Sequence, residues 1–154
     1  MALEIERRFL VISDAWLRFV NRRYWITQTY LAQNNEINLR VRVSEHKAWL
    51  AIKSGGAGRS RREYEYPIPT ADAAELVAGA SLPAIEKWRH EVMQDAHLWE
   101  VDVYEGANAG LIVAEIELKS PDEDFSRPAW VGREVTDDLA YRNISLALRP
   151  YSLW

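Results

Sequence analysis

Polar and apolar residues alternate with a period of two along most of this chain, a pattern typical of half-buried β-strands. At the start of the sequence Glu4, Glu6 and Arg8 share one phase, and mostly apolar residues occupy the other. Turn residues separate similar stretches further on, and we predict strands over Arg22–Leu31, Glu36–Val43, Lys47–Lys53, Arg61–Ile68, Ala84–Met93, Leu98–Tyr104 and Leu111–Lys119. About eight short strands at near-even spacing favour a sandwich or a closed antiparallel barrel.

Helical signals are few. A Ser-Asp pair opens a short candidate helix over residues 13–20, and Thr70–Ala80 has an N-terminal Thr and an Ala-rich content. Asp137–Leu148 begins with acidic residues and has apolar residues at helical spacing. The basic, Gly-rich stretch Ser54–Arg62 does not match a P-loop, and we interpret it as a hairpin turn. The chain is therefore predicted to be mainly β, of the α+β kind, with a few flanking helices.

Length and composition indicate a folded domain. At 154 residues, with 48% hydrophobic and 27% charged residues, the chain is predicted to form a single domain over residues 1–154 with a real core. No apolar run approaches the roughly 20 residues of a membrane span, so we expect no membrane association. The acidic first residues are unlike a signal peptide, and the absence of cysteine excludes disulfides and thiolate metal sites. A cytoplasmic location is expected.

Net charge limits the range of partners. The formal charge of −4 and the pI near 5.4 argue against a general nucleic-acid-binding surface. A polyanion would have to bind to a local cluster of basic residues.

The polar phases of the predicted strands contain like-charge pairs, namely Arg40 and Arg42, Glu63 and Glu65, Lys87 and Arg89, Glu100 and Asp102, and Glu115 and Glu117. Two arrangements are compatible with this pattern. The charges face water around an apolar core, or they converge inside a barrel whose apolar phases face outward beneath the helices. Like charges on one solvated strand repel, whereas opposite charges across a barrel interior compensate and its basic residues form an anion site. The alternation alone leaves both arrangements open.

The ordered motifs resemble those of the triphosphate tunnel metalloenzymes, also called the CYTH superfamily. Glu4-Ile5-Glu6-Arg7-Arg8 is similar to the N-terminal ExExK signature of that family. Similar blocks follow in order at Gln28–Leu31, Leu39–Arg42, Leu50–Lys53, Arg62–Ile68, Ile85–Arg89, Trp99–Tyr104, Ala114–Leu118, Val131–Thr136 and Tyr141–Ala147. ExExK alone is a weak pattern, but the ordered set covers nearly the whole chain and is most similar to short bacterial members. The resemblance implies a closed eight-stranded antiparallel β-barrel that binds a linear triphosphate and a divalent metal.

The resemblance also implies roles for individual residues. Mg²⁺ or Mn²⁺ would be held by the carboxylates of Glu4, Glu6, Glu115 and Glu117, the hard oxygen ligands that such ions prefer. The phosphates would be bound by Arg8, Arg40, Arg42, Lys53, Lys87 and Arg89. The expected catalytic residues are Lys87, which could assist a water, together with Arg8, Glu63 and Glu65. Glu100 and Asp102 are weaker candidates for orienting the bases.

Position 8 departs from the family signature, because it holds Arg8 where the signature has lysine. The positive charge and the phosphate contact are kept. A role that needs a compact ammonium group or a proton transfer is put in doubt.

The expected activity is hydrolysis of inorganic tripolyphosphate to pyrophosphate and phosphate, because the short chain leaves little room for an organic group. Thiamine triphosphate stays possible if Trp49 offers an aromatic face to the thiazolium. The same family motifs would also suit a class IV adenylyl cyclase or a non-catalytic module that binds triphosphate or polyphosphate. The expected partner is a small-molecule triphosphate, and the chain is expected to be a monomer or a homodimer.

Overall fold

The computed structural model describes residues 2–55, 60–78 and 81–154. It contains a nine-stranded antiparallel sheet with two α-helices and several short 3-10 helices. The strands are β1 Ala2–Val11, β2 Val20–Gln33, β3 Ile37–Ser44, β4 Lys47–Ser54, β5 Ser60–Ile68, β6 Ala84–Gln94, β7 His97–Tyr104, β8 Ile112–Glu117 and β9 Val131–Glu134. The helices are α1 Thr70–Val77 and α2 Asn143–Leu148.

Eight of these strands form a closed barrel in the order β5-β4-β3-β2-β6-β7-β8-β1, and β1 pairs back onto β5. The first strand changes its partner along its length. Its residues Ala2–Ile5 pair with β5, and its later residues pair with β8, where Arg8 lies opposite Glu115. The predicted eight-stranded antiparallel barrel is therefore confirmed.

The ninth strand was not predicted, because its four residues are too few for an alternation signal. It continues the edge of β1 beyond β5, with Phe9 opposite Glu134 and Val11 opposite Val131. A Cβ atom at Gly132 would lie 2.4 Å from Ile12 Cγ2, so the absence of a side chain permits this close approach.

The apolar phases of the strands face outward and are covered by the rest of the chain. Phe9 and Trp99 pack edge to face at 5.7 Å between ring centroids, and Trp130 contacts Trp99 at 5.6 Å. All three rings are buried, and fully burying such side chains contributes about 1.5–3 kcal/mol each. On another side, Ala73 of α1 packs against the outer face around Val41. The core thus lies outside the barrel wall.

The C-terminal segment packs at one end of the barrel, where Leu146 of α2 is fully buried against Ile85 and Val113. The single helix predicted over Asp137–Leu148 is wrong in its first half. Residues Leu139–Tyr141 form a 3-10 helix, and Arg142 is extended with ψ 145° before α2 begins.

The other helix predictions differ at their ends. The segment 13–20 forms the 3-10 helix Ala15–Phe19, and the Asp14 side chain makes no capping hydrogen bond. Helix α1 begins at Thr70 as predicted, but Pro69 takes the N-cap position. The end of the predicted helix at 79–80 and the centre of the predicted turn at 56–59 lie outside the described residues. Among the described residues, no helix has the length and apolar content that crossing a bilayer would require.

Candidate active site

The charged phases of the strands point into the barrel and line a cavity of about 230 Å³, so the inward arrangement is correct. Every site residue predicted from the sequence borders this central cavity except Lys87 and the weaker candidate Asp102. The acids are Glu4, Glu6, Glu63, Glu65, Glu100, Glu115 and Glu117, and the bases are Arg8, Arg40, Arg42, Lys53 and Arg89. Because the strand period is two, in-phase charges of one strand face the same side as those of its neighbours, and some meet opposite charges there, as Arg89 of β6 meets Asp102 of β7.

The β6–β8 wall holds a dense ion cluster. Arg89 donates from Nε to Asp102 Oδ1 at 2.8 Å, and its Nη1 lies 2.5 Å from Glu100 Oε2. Lys87 Nζ donates to the other Asp102 oxygen at 2.6 Å, and both of these side chains are fully buried. Burial would raise the pKa of Asp102, but the charges of Arg89 and Lys87 hold it below its usual value. Burial lowers the pKa of Lys87 to about 8 despite its contact with Asp102. Lys87 thus lies behind the cavity wall.

Arg8 bridges two carboxylates. Its guanidinium donates to Glu6, and its Nε donates to Glu115 Oε1 at 3.2 Å. Burial would lower the pKa of Arg8, but the charges of Glu6 and Glu115 raise it overall. Burial would likewise raise the pKa of Glu115, and Arg8 and Arg89 hold it well below its usual range. Arg8 therefore remains a cation and is unsuited to proton transfer.

The β3–β5 wall carries the remaining phosphate-ligand candidates, each beside a carboxylate. Arg40 Nη2 donates to Glu63 Oε1 at 2.6 Å. Lys53 Nζ donates to Glu4 Oε2 at 2.9 Å and lies 3.6 Å from Glu63 Oε2. Arg42, whose Nη1 lies 3.4 Å from Glu65 Oε1, is more loosely paired. Glu63 and Glu65 therefore orient these bases.

Three carboxylates crowd together near the start of β1. Glu6 lies opposite Glu117 in the β1–β8 register. Burial, followed by the charges of Glu4 and Glu6, raises the pKa of Glu117, and burial and the adjacent Glu63 carboxyl raise that of Glu4. A cluster of carboxylate oxygens suits a hard divalent cation. Within the described residues, no three acidic or His side chains are already arranged as a ligand set. Glu4 and Glu6 are instead paired with Lys53 and Arg8.

The sequence prediction missed three basic or aromatic residues inside the barrel. Tyr24 lines the central cavity, and Arg61 and Arg142 line a second cavity beside it. Arg61 is in phase with Glu63 on the same strand, so the period of two could have indicated it. Arg142 lies in an extended link before a short helix, where no periodicity exists to place it. The neighbouring Asn143 also lines the central cavity, and the Tyr104 hydroxyl donates to its Oδ1 at 2.6 Å.

Comparison with known proteins identifies the family. The profile of the CYTH domain matches residues 2–151 of this chain. The chain belongs to the CYTH domain family. The family predicted from the ordered motifs is thereby confirmed.

Relatives of this CYTH chain cover nearly its whole length. It is 40% identical over 152 residues to an inorganic triphosphatase of Acetivibrio thermocellus, covering 98% of this chain and 97% of the relative. It is 37% identical to an inorganic triphosphatase of Nitrosomonas europaea, covering 94% and 97% of the two chains. A crystal structure of an inorganic triphosphatase superposes with a TM-score of 0.69 at 32% identity, covering 96% of each chain.

Proposed function

We propose that this CYTH protein is a metal-dependent inorganic triphosphatase that hydrolyses tripolyphosphate to pyrophosphate and phosphate. The observation that carries this proposal is one cavity in which five bases face seven carboxylates across a closed barrel. Two relatives that cover nearly the whole chain are inorganic triphosphatases, which supports the same substrate.

Glu4, Glu6, Glu115 and Glu117 would hold Mg²⁺ or Mn²⁺. Such an ion supplies charge neutralisation for phosphate oxygens and a more acidic water. A cation would relieve the crowding of Glu4, Glu6 and Glu117, in which the charges of Glu4 and Glu6 contribute to the raised pKa of Glu117. Glu115, held by Arg8 and Arg89, is the most firmly positioned of the four.

Arg40, Arg42, Lys53 and Arg89 would bind the phosphate oxygens. Catalysis of phosphoryl transfer depends mainly on positioning and on electrostatic stabilisation, so fixed bases are what the reaction needs. Glu63 and Glu65 hold Arg40 and Arg42 in place and act as positioning residues. One water attacks the terminal phosphorus, the bridging P–O bond breaks, and pyrophosphate leaves.

Lys87 and Arg8 contribute charge to this site. Lys87 lies behind Arg89, fully buried against Asp102, so it supports the orientation of Arg89. Arg8 holds Glu6 and Glu115 and adds a fixed positive charge beside the metal-binding carboxylates. Neither residue needs to exchange a proton in this role.

A second candidate is hydrolysis of an organic triphosphate, such as thiamine triphosphate or a nucleoside triphosphate. Tyr24 and Trp49 line a cavity of about 310 Å³ that shares Tyr24, Arg42 and Glu65 with the central cavity. An aromatic ring or a thiazolium could stack there while the phosphates occupy the barrel. Trp49→Leu would then impair use of the organic substrate while leaving tripolyphosphate hydrolysis intact.

The remaining expectations concern the whole molecule. We include in this proposal one catalytic domain over residues 1–154, a cytoplasmic location, no general binding of nucleic acid, and a monomer or homodimer. Size-exclusion chromatography with light scattering would decide between the last two.

The test is phosphate release from tripolyphosphate with Mg²⁺ or Mn²⁺, measured beside ATP and thiamine triphosphate. We expect metal-dependent release that is fastest with tripolyphosphate. Glu4→Gln should lower it by about 100-fold or more, because it removes a metal ligand. Glu75→Gln, which changes an exposed acid on α1, is the matched control and should leave the rate unchanged. Tight tripolyphosphate binding without turnover would instead favour the non-catalytic binding module.

A further inference from the structure

Arg61 and Arg142 differ from the other bases inside the barrel. Each base of the central cavity contacts at least one carboxylate within 4.0 Å, as described above. Across residues 2–55, 60–78 and 81–154, the side chains of Arg61 and Arg142 make no hydrogen bond and no ion pair. Two partly buried positive charges therefore lack a direct contact with a carboxylate, although the charges of Glu4 and Glu6 attract Arg61 and those of Glu6 and Asp137 attract Arg142.

These two arginines line a second cavity of about 190 Å³, at the side of the barrel where α2 begins. Lys53 lines this cavity and the central one, so the two adjoin. Among the described residues, the charged lining consists of Lys53, Arg61 and Arg142 with one acid, Glu36. The second cavity is therefore positively charged, whereas the central one combines both signs.

Unused hydrogen-bonding atoms also face this region. Arg142 Nε and Asn38 Oδ1 are both buried, and neither has a hydrogen-bond partner. A buried polar atom without a partner costs about 1–3 kcal/mol, and native proteins rarely leave one unexplained. A bound group with both acceptor and donor capacity would satisfy these atoms.

The lowered pKa values of both arginines also favour an anion at this position. Burial, followed by the charges of Arg61 and Arg8, lowers the pKa of Arg142 to about 10. Burial and the charge of Arg8 also lower the pKa of Arg61. Cations that repel one another in a partly buried site are stabilised when an anion binds between them.

We propose that Arg61 and Arg142, beside Lys53, form a second phosphate-binding subsite that takes a phosphoryl group without a metal ion. Arginine binds phosphate through paired, charge-assisted hydrogen bonds, and this cavity lacks the carboxylate cluster that would hold a metal. The identity of the ligand rests on the proposed function, because the adjoining cavity would hold polyphosphate. The phosphoryl group comes either from a released product or from the end of a chain longer than triphosphate.

The test is calorimetric titration of the folded protein in metal-free buffer with pyrophosphate, tripolyphosphate and tetrapolyphosphate. Arg61→Gln and Arg142→Gln should each weaken binding of pyrophosphate or tetrapolyphosphate by about tenfold, the loss expected for one charged hydrogen-bonding partner. Their binding of tripolyphosphate should change by less than about threefold, because the paired bases of the central cavity hold it. Arg142→Lys should recover part of the loss, and Arg149→Gln, an exposed arginine after α2, is the matched control.

The two sources give different results. A loss that includes pyrophosphate indicates a product site, and a loss confined to tetrapolyphosphate indicates a site for the end of a longer chain. Equal losses for tripolyphosphate would place both arginines in the central site and overturn the proposal, as would no loss for any ligand.

Thermal unfolding provides a second readout. Removing an uncompensated charge should leave the Tm unchanged or raise it, whereas a purely structural arginine would lower the Tm when replaced. Failure of the proposed triphosphatase would be seen separately, as wild-type protein that releases no phosphate with metal present.

Discussion

Two regions of the barrel differ in how completely their charged side chains are buried and paired. On the β6–β8 wall, Lys87, Arg89 and Asp102 are nearly or fully buried, and each charge has an opposite partner within 2.8 Å. Near the start of β1, Glu4 is about one quarter exposed at 27%, and Glu117 is also exposed and raised in pKa by burial and by its acidic neighbours. The first wall is electrostatically complete, and the second needs a cation. We therefore expect the buried Lys87–Arg89–Asp102 cluster to contribute mainly to stability, and the carboxylates near the start of β1 to contribute mainly to metal binding.

The largest expected effect comes from disrupting the buried ion pairs of Asp102 with Lys87 and Arg89. Asp102→Asn should lower the free energy of unfolding by about 3–5 kcal/mol, because it leaves Lys87 and Arg89 buried without their counter-ion. Urea unfolding measures the change. Glu45→Gln, which breaks the exposed pair with Arg22, is the control and should cost less than about 1 kcal/mol. Equal effects of the two substitutions would contradict the comparison.

The next largest effect concerns the crowded carboxylates near the start of β1. Glu117→Gln should lower metal-dependent phosphate release by about 100-fold, because outer-shell changes at metal sites already cost about 10–100-fold and Glu117 is a proposed ligand. The Tm should stay the same or rise, because one of three crowded carboxylates loses its charge. Rate assays and thermal unfolding of one preparation test both statements. A lower Tm with unchanged turnover would show that Glu117 contributes to stability and not to metal binding, which would contradict the comparison.

A pH series sharpens the comparison at Lys87. In the folded protein its pKa lies near 8, below the usual value of 10.5, so above pH 8 the unfolded chain binds more protons at this residue. Stability from this group should therefore rise with pH, by about 1 kcal/mol between pH 7.5 and 9. Lys87→Met should remove this increment from the urea unfolding series, and the exposed Lys47→Gln should retain it. A wild-type slope in Lys87→Met would show that Lys87 does not titrate in this range.

The smallest expected effect concerns Arg8 of β1, which contacts Glu6 on the same strand and Glu115 on β8. Arg8→Lys restores the family residue but loses one of two carboxylate contacts, so we expect about 1 kcal/mol lower stability. Because neither side chain is needed for proton transfer, phosphate release should change by less than about tenfold. Steady-state kinetics beside urea unfolding test this. A gain of 100-fold or more would show that a lysine ammonium performs chemistry that Arg8 cannot.

The sequence was most informative where a period of two repeats over several strands. It predicted the strands and the shared phase of their charges, because in-phase residues share one face of a strand. The resemblance to the family was needed to predict the closed barrel and to bring Glu4, Arg40 and Arg89 together in one site. Its motifs could not distinguish Lys87 from Arg89, which share a phase. Only the packing around Asp102 places one behind the wall and the other in the cavity.

Features outside the strands were less predictable. The helix expected over Asp137–Leu148 breaks because Asp138 accepts a hydrogen bond from Ala140 N and stabilises a separate turn. Arg142 follows that turn, so its approach to Arg61 depends on tertiary contacts that local propensity does not encode.

The pairing of β1 has a consequence for how the chain folds. Its residues meet β5, β8 and β9, and the contact between Arg8 and Glu115 joins positions 107 apart in sequence. During synthesis β5 is complete before half of the chain is made, whereas β8 and β9, which pair with the later residues of β1, emerge only from Ile112 onward. High contact order of this kind slows folding, and an unpaired edge invites association between chains. The barrel can therefore close only after β8 has emerged and paired with β1.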